Sequence, residues 1–223
     1  EKQNAVTPSN LIQDQMAEII PIRPWRYHPD LSQKIEDLTT PLFDVVSEKQ
    51  RQLLYHNKYN SIHLSVPKPP DPATRAAALL AQWKKDGAIV QDPLPGIYVY
   101  YQYFKVSGDP KSYCRKGFIC HVRAYDWKES VILRHENTIP AAVNDRVELL
   151  EKTELHSSPT HGLYTDSTFA LESHMDEAIS NPLLETEDYQ GVRDVLGVIH
   201  DAKVVAKFLE VMKSKTIILA DGH

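Results

Sequence analysis

Apolar and polar positions change period several times along the chain, and each change marks an element. "PATRAAALLAQWKKDG" carries the clearest pattern. Ala76, Leu79, Leu80 and Trp83 recur at helical spacing beside a polar face of Arg75, Gln82 and Lys85, which predicts an amphipathic helix. Asp71 suits its cap, Pro72 its first position and Gly87 its stop. "GIYVYYQYFKV" and "SYCRKGFICHVRAY" are rich in aromatic and β-branched residues and are joined by "SGDPK". That pattern predicts an antiparallel hairpin with a longer loop.

Weaker patterns fill in the rest. "EIIPIRPWRY" is held extended by Pro21 and Pro24. "DLSQKIEDL" has helical spacing, "TTPLFDVVS" reads as extended, and Ser47 caps a short helix over "EKQRQLLYHN". "SIHLSV" alternates like a half-buried strand, and "PKPPDP" is a stiff linker. "SVILR" and "THGLYTD" predict short strands. "NDRVELLEKTEL" predicts a helix capped by Asn144, and "STFALESHMDEAIS" a weaker one. "VRDVLGVIHD" is a strand, Asp201 caps "AKVVAKFLEVMKS", and "KTIILA" is a last strand. Residues 195–220 suggest a right-handed parallel crossover. The expected fold is α+β: a mixed sheet with a central antiparallel hairpin and flanking helices. Residues 1–17 are polar and predict a flexible lead-in to an α+β portion over 18–223.

Composition narrows the function classes. The chain has 223 residues, 42% hydrophobic and 25% charged, with a net charge of −5. That is ordinary globular composition, and the acidic balance argues against a nucleic-acid partner. No apolar run is long enough to span a bilayer, and the polar N-terminus lacks a signal-peptide core, so a cytoplasmic protein without a membrane partner is expected. Cys114 and Cys120 do not make a disulfide framework. Eight glycines and the absence of a Walker loop, nucleophile elbow or dinucleotide fingerprint exclude the common nucleotide loops.

Candidate chemistry gathers at strand ends. Asp221, Gly222 and His223 follow an apolar strand, a place where backbone N–H groups can approach a phosphate, although Asp-Gly is also a common tight turn. Arg134, His135, Glu136, Asn137 and Thr138 follow another. His135 offers a general acid or base and Glu136 a base or metal ligand; a solvated loop has the same composition. The zinc spacing with a second histidine one helical turn on is missing. Arg146 offers a planar fork for phosphate or carboxylate, Arg23 and Arg26 flank Trp25 as an anion clamp or as snorkelling side chains, and Asp44 is a turn cap or a site carboxylate.

Taken in order, "IRPWRYHP", "TPLFDVVS", "KYNSIHLSV", "AALLAQWKKDGAIVQDPLPGIYVYYQYF", "RKGFICHVRAYDW", "LRHENTIPAAVNDRVELL" and "ILADGH" resemble the domain-of-unknown-function 1015 family of bacteria and archaea. In that family the last motif continues as Asp-Gly-His-His-Arg-Tyr into a helix. The resemblance therefore implies that this chain is the N-terminal portion of a longer protein, cut inside the motif. The family's His-Glu-Arg-Thr matches His135, Glu136, Asn137 and Thr138, with Asn137 in place of the commoner arginine. Its Pro-Pro-Tyr-Asp-Val matches Pro41, Leu42, Phe43, Asp44 and Val45; Asp44 is kept, and Phe43 lacks the tyrosine hydroxyl. The closing motif also resembles, remotely, the Gly-x-x-Arg loop of the ParB and sulfiredoxin superfamily, whose members bind nucleotides. That likeness implies ATP or another nucleotide with Mg²⁺ as cofactor and phosphoryl transfer to a small metabolite. It points to His135, Glu136 and Asp44 as catalytic residues, and to Asp221, Gly222, His223, Arg146 and Arg26 as cofactor contacts. A non-catalytic nucleotide-binding module and a scaffold are the competing readings. One shared cleft for the "HENT" and "ADGH" motifs is the geometric expectation.

Overall fold

A computed structural model describes residues 17–188 and 190–222. The predicted lead-in lies outside these residues, save for Ala17, and so does His223. In chain order the elements are β1 (Ile19–Ile20), β2 (Trp25–Tyr27), α1 (Pro29–Ser32), α2 (Ile35–Leu38), α3 (Glu48–Leu54), α4 (Ile62–Ser65) and α5 (Pro72–Lys85). They continue as β3 (Ile89–Gln91), β4 (Ile97–Lys105), β5 (Ser112–Ile119), β6 (His121–Val122), β7 (Ile132–Arg134), α6 (Pro140–Thr153) and β8 (His161–Leu163). The last are α7 (Glu172–Ser180), β9 (Leu184–Glu187), β10 (Arg193–Ile199), α8 (Ala202–Met212) and β11 (Ile217–Asp221). The fold is α+β, as the pattern predicted.

The hairpin forms as expected, with Tyr98 opposite Ile119 and Lys105 opposite Ser112. It belongs to an antiparallel sheet of order β5-β4-β10-β9. Ile97, Val99 and Tyr101 turn one face of β4 into the main core, where Phe208 of α8 and Met175 of α7 cover it. α7 reaches β10 closely because Gly197 has no side chain: a Cβ there would meet the Ala178 carbonyl oxygen at 2.6 Å. A second core lies between α4, α5, β3 and α6, around Ala76, Leu80, Trp83, Ile89 and Leu149. Parallel pairing occurs in the separate three-stranded sheet β7-β11-β8.

Four local expectations are corrected. "SIHLSV" is helical over α4, because Asn60 Oδ1 accepts the Ile62 N–H and starts a turn (2.9 Å). "TTPLFDVVS" carries a turn at 43–45 and no strand. α6 starts at Pro140, the favoured first position, so Asn144 and Asp145 lie inside the helix rather than at its cap. The crossover over 195–220 does not close on one sheet. β10 is flanked by β4 and β9, so β11 pairs with β7 instead.

Candidate functional site

β7 and β11 run parallel, with Ile217 opposite Ile132 and Leu219 opposite Arg134. Their carboxyl ends therefore open on the same side. His135 and Glu136 leave one strand there, and Asp221 and Gly222 leave the other. Ligands of open parallel sheets bind outside the carboxyl ends of the strands, since loops there are held by a rigid frame. β8 closes the other side of β11, with His161 opposite Asp221.

Local bonds fix this end. His135 Nδ1 is hydrogen-bonded to the Leu219 carbonyl, so "HENT" is tied to β11 just ahead of "ADGH". A carbonyl only accepts, so Nδ1 carries the proton. In the neutral ring Nε2 is then the basic nitrogen, and it lies 3.6 Å from Glu136 Oε1. Gly222 adopts φ +69°, a conformation few L residues tolerate, and a Cβ there would press on Thr160 Cα at 3.3 Å. The Gly222 N–H donates to Asp221 Oδ1 (2.8 Å), and Thr160 Oγ1 donates to the Gly222 carbonyl (3.1 Å). The cluster is open to solvent: the His135 side chain is 40% exposed and Glu136 59%. Among the described residues no group of three or more His, Cys, Asp or Glu side chains is placed to hold a metal ion.

The other candidates fall into two further groups. Arg146 gives its Nε to Asp145 Oδ2 (2.8 Å) and its Nη1 to the Ser65 carbonyl (2.6 Å), and its guanidinium lies 4.3 Å from the Phe43 ring centre. It is a strut between α6, α4 and the turn that holds exposed Asp44. Arg26 sits on β2 with its fork on Asp92: Nε to Oδ2 at 2.8 Å and Nη2 to Oδ1 at 2.8 Å. The anion this arginine was expected to clamp is the chain's own carboxylate.

Sequence reasoning missed Asp92, Tyr98, Asp176 and Lys116. Tyr101 donates to Asp176 (2.7 Å), and Lys116 bridges Asp176 and Glu172 at 2.8 and 2.6 Å. Burial first, then the Asp176 hydrogen bond, pushes the Tyr101 hydroxyl up. The Asp176 and Glu172 bonds hold the Lys116 ammonium well above its ordinary value. Tyr101 and Lys116 on the two hairpin strands gave no signal, because their partners lie 56 to 75 residues away in sequence.

The chain belongs to the family described as "Protein of unknown function (DUF1015)", whose family model matches residues 19–223. No curated protein and no solved structure matches the chain. None of these comparisons shows the ParB and sulfiredoxin likeness. No helix among the described residues is long and apolar enough to cross a membrane.

Proposed function

We propose that the paired ends of β7 and β11 bind the phosphates of a nucleotide, ATP foremost, and that the protein transfers a phosphoryl group to a small metabolite. The observation that supports this reading is the parallel pair that sets His135 and Glu136 beside Asp221 and Gly222. Gly222 allows close approach of backbone to an oxyanion. Glu136 and Asp221 are carboxylates of the kind that share Mg²⁺ with nucleotide phosphates. His135 Nε2, in the neutral ring, takes the proton of the acceptor hydroxyl. The bond from the γ-phosphorus to the bridging oxygen breaks as the bond to the acceptor oxygen forms, and the nucleoside diphosphate leaves. Arg26 and Arg146 already have internal partners, so this reading gives them no phosphate. Asp44 is assigned to the turn beside Arg146.

The test is calorimetric titration of the full chain with ATP, ADP and CTP in Mg²⁺, followed by a turnover screen over hydroxyl- and amine-bearing metabolites. Binding with turnover that falls about 100-fold or more in His135→Asn supports the reading. Binding without turnover of any metabolite replaces it by a non-catalytic nucleotide module, which the exposure of His135 and Glu136 would suit. No binding leaves the scaffold reading.

A further inference from the structure

Strands turn successive side chains to opposite faces, and the two faces of the sheet β7-β11-β8 differ sharply. The inner face is packed. Ile217 is 8% exposed in the main core, and a Cβ on Gly162 would meet Ile217 Cγ2 at 2.7 Å. The outer face is open. Leu133 of β7, Ile218 of β11 and Leu163 of β8 stand opposite one another in register. They are 37%, 42% and 52% exposed, so among the described residues nothing covers this aliphatic row. α6, which joins β7 to β8, gives its Leu149 to the helical core instead.

The row leads straight to the candidate site. On β8, His161 is two residues from Leu163 and so shares its face. His161 stands opposite Asp221 in register, and the next residue of β8's lead-in, Thr160, holds the Gly222 carbonyl. One outer surface therefore runs from an aliphatic floor to the polar strand ends. Gly222 is four residues beyond Ile218, about 13 Å at a strand's rise, and a little less because the register shifts between Leu219 and Asp221. Three strands spaced about 4.8 Å apart make the floor about 10 Å wide.

Those dimensions suit a nucleotide. A ribose with an extended triphosphate spans the distance from floor to Gly222, and a purine fits the width. Aliphatic side chains take the flat face of a base while its polar edges stay in water. They repel a phosphate, which would lose its hydration there without gaining a donor. The surface thus sets a direction, with phosphates at Gly222 and base over Ile218. A second copy of the chain fits less well, since a stable interface buries about 800 Å² per partner. Three partly exposed side chains offer far less.

We propose that Leu133, Ile218 and Leu163 carry the base of the nucleotide whose phosphates the ends of β7 and β11 hold; this placement rests on that phosphate site. The floor presents no hydrogen-bonding group to the base, so it selects for ring area and favours a purine.

Calorimetric titration of the full chain in Mg²⁺ with ATP and with methyl triphosphate reads the two parts separately, because methyl triphosphate keeps the charge and lacks the base. ATP is expected to bind about tenfold or more tightly, as burial of one face of a purine on an apolar surface gives. The double variant Leu133→Thr with Leu163→Thr keeps β-branched residues on both strands and removes aliphatic surface. It is expected to weaken ATP about fivefold or more and to leave methyl triphosphate unchanged, which shows that the strand ends are still folded. Equal affinity of the native chain for the two ligands overturns the floor and leaves the phosphate site standing. ATP affinity that survives intact in the double variant places the base elsewhere and also overturns it. Binding of neither ligand removes the phosphate reading and the floor with it. Sedimentation of both chains covers the remaining occupant: a native dimer that the double variant turns into a monomer would assign the face to a second copy and overturn the proposal.

Discussion

Asp92 is 6% exposed and accepts hydrogen bonds from the Arg26 fork and from the Tyr98 hydroxyl. Burial alone would raise its pKa. The Arg26 and Tyr98 hydrogen bonds and the Arg26 charge outweigh burial and hold the carboxyl below its usual range. A carboxyl with a depressed folded pKa contributes stability above its unfolded value, about 3.9, and that contribution is lost as pH falls through the folded value. Removing one partner of such a pair leaves the other charge buried, at a cost of about 3 kcal/mol, the low end of the range because Arg26 is a quarter exposed. Asp92→Asn is therefore expected to lower stability by about that amount at neutral pH and by much less at an acid pH below the carboxyl's folded value. Urea unfolding at both pH values checks it; an equal loss at both would show that the ionised carboxylate is not what holds the residue. The sequence showed half of this interaction. Arg23 and Arg26 around Trp25 were legible as anion seekers, but Asp92 in "VQDPLPG" reads as a turn former. Its partner is 66 residues away in sequence, and no local period records such a pairing.

At the scale of elements, β11 shows what alternation records and what it leaves open. Ile217 is 8% exposed and belongs to the main core, whereas Ile218 is 42% exposed on the opposite face. Ile218 lies between Leu133 of β7 and Leu163 of β8 in register, and those are 37% and 52% exposed. Ile217→Ala should cost about 2–4 kcal/mol through lost burial and the cavity left behind. Ile218→Ala should cost less, about 1–1.5 kcal/mol, since only a little over half of its surface leaves water on folding and no enclosed cavity is left behind. Denaturant midpoints for the two variants test the facing of the strand; equal losses would reverse or blur it. The sequence showed β10, α8 and β11 as elements, because each carries a strong period and Asp201 caps α8 through two N–H groups. It did not show that β11 leaves β10 for β7, because strand choice depends on which edges other segments already occupy. The union of "HENT" with "ADGH" follows from that same pairing. Each motif was legible as a polar cluster after an apolar strand, and their adjacency was an expectation that only the sheet order could test. α4 was misread because Ile62 and Leu64 alternate in "SIHLSV" and a single turn of helix can bury the same two residues.

At the scale of the whole molecule, the described residues form two apolar clusters, and several contacts tie them into one body. Trp83 and Ile89 belong to the helical core and Phe208 to the sheet core. Asp92, just past β3, accepts from Tyr98 of β4, its N–H donates to the Pro24 carbonyl (3.0 Å), and its carbonyl accepts from Arg23 Nε (2.9 Å). Ile22 and Gly96 pair across the same seam. α6 gives Leu149 to the helical core, yet it connects β7 to β8 of the sheet that β11 centres. Unfolding one cluster would strip the other of these partners and expose a buried charge pair, so the two are expected to unfold together. Phe208→Ala tests this from the far side. Phe208 is fully buried, and its loss should cost about 3–5 kcal/mol. The readout is Trp83, which is 2% exposed in the other cluster, while Trp25 and Trp127 are 37% and 51% exposed and change environment less. In a single cooperative unit the Trp83 fluorescence midpoint falls with the far-UV circular dichroism midpoint, and the two curves stay superimposed. A Trp83 transition that keeps its native midpoint while the dichroism curve splits would show two independent units. The Arg26–Asp92–Tyr98 cluster would then be a contact between them rather than a bond that couples their folding.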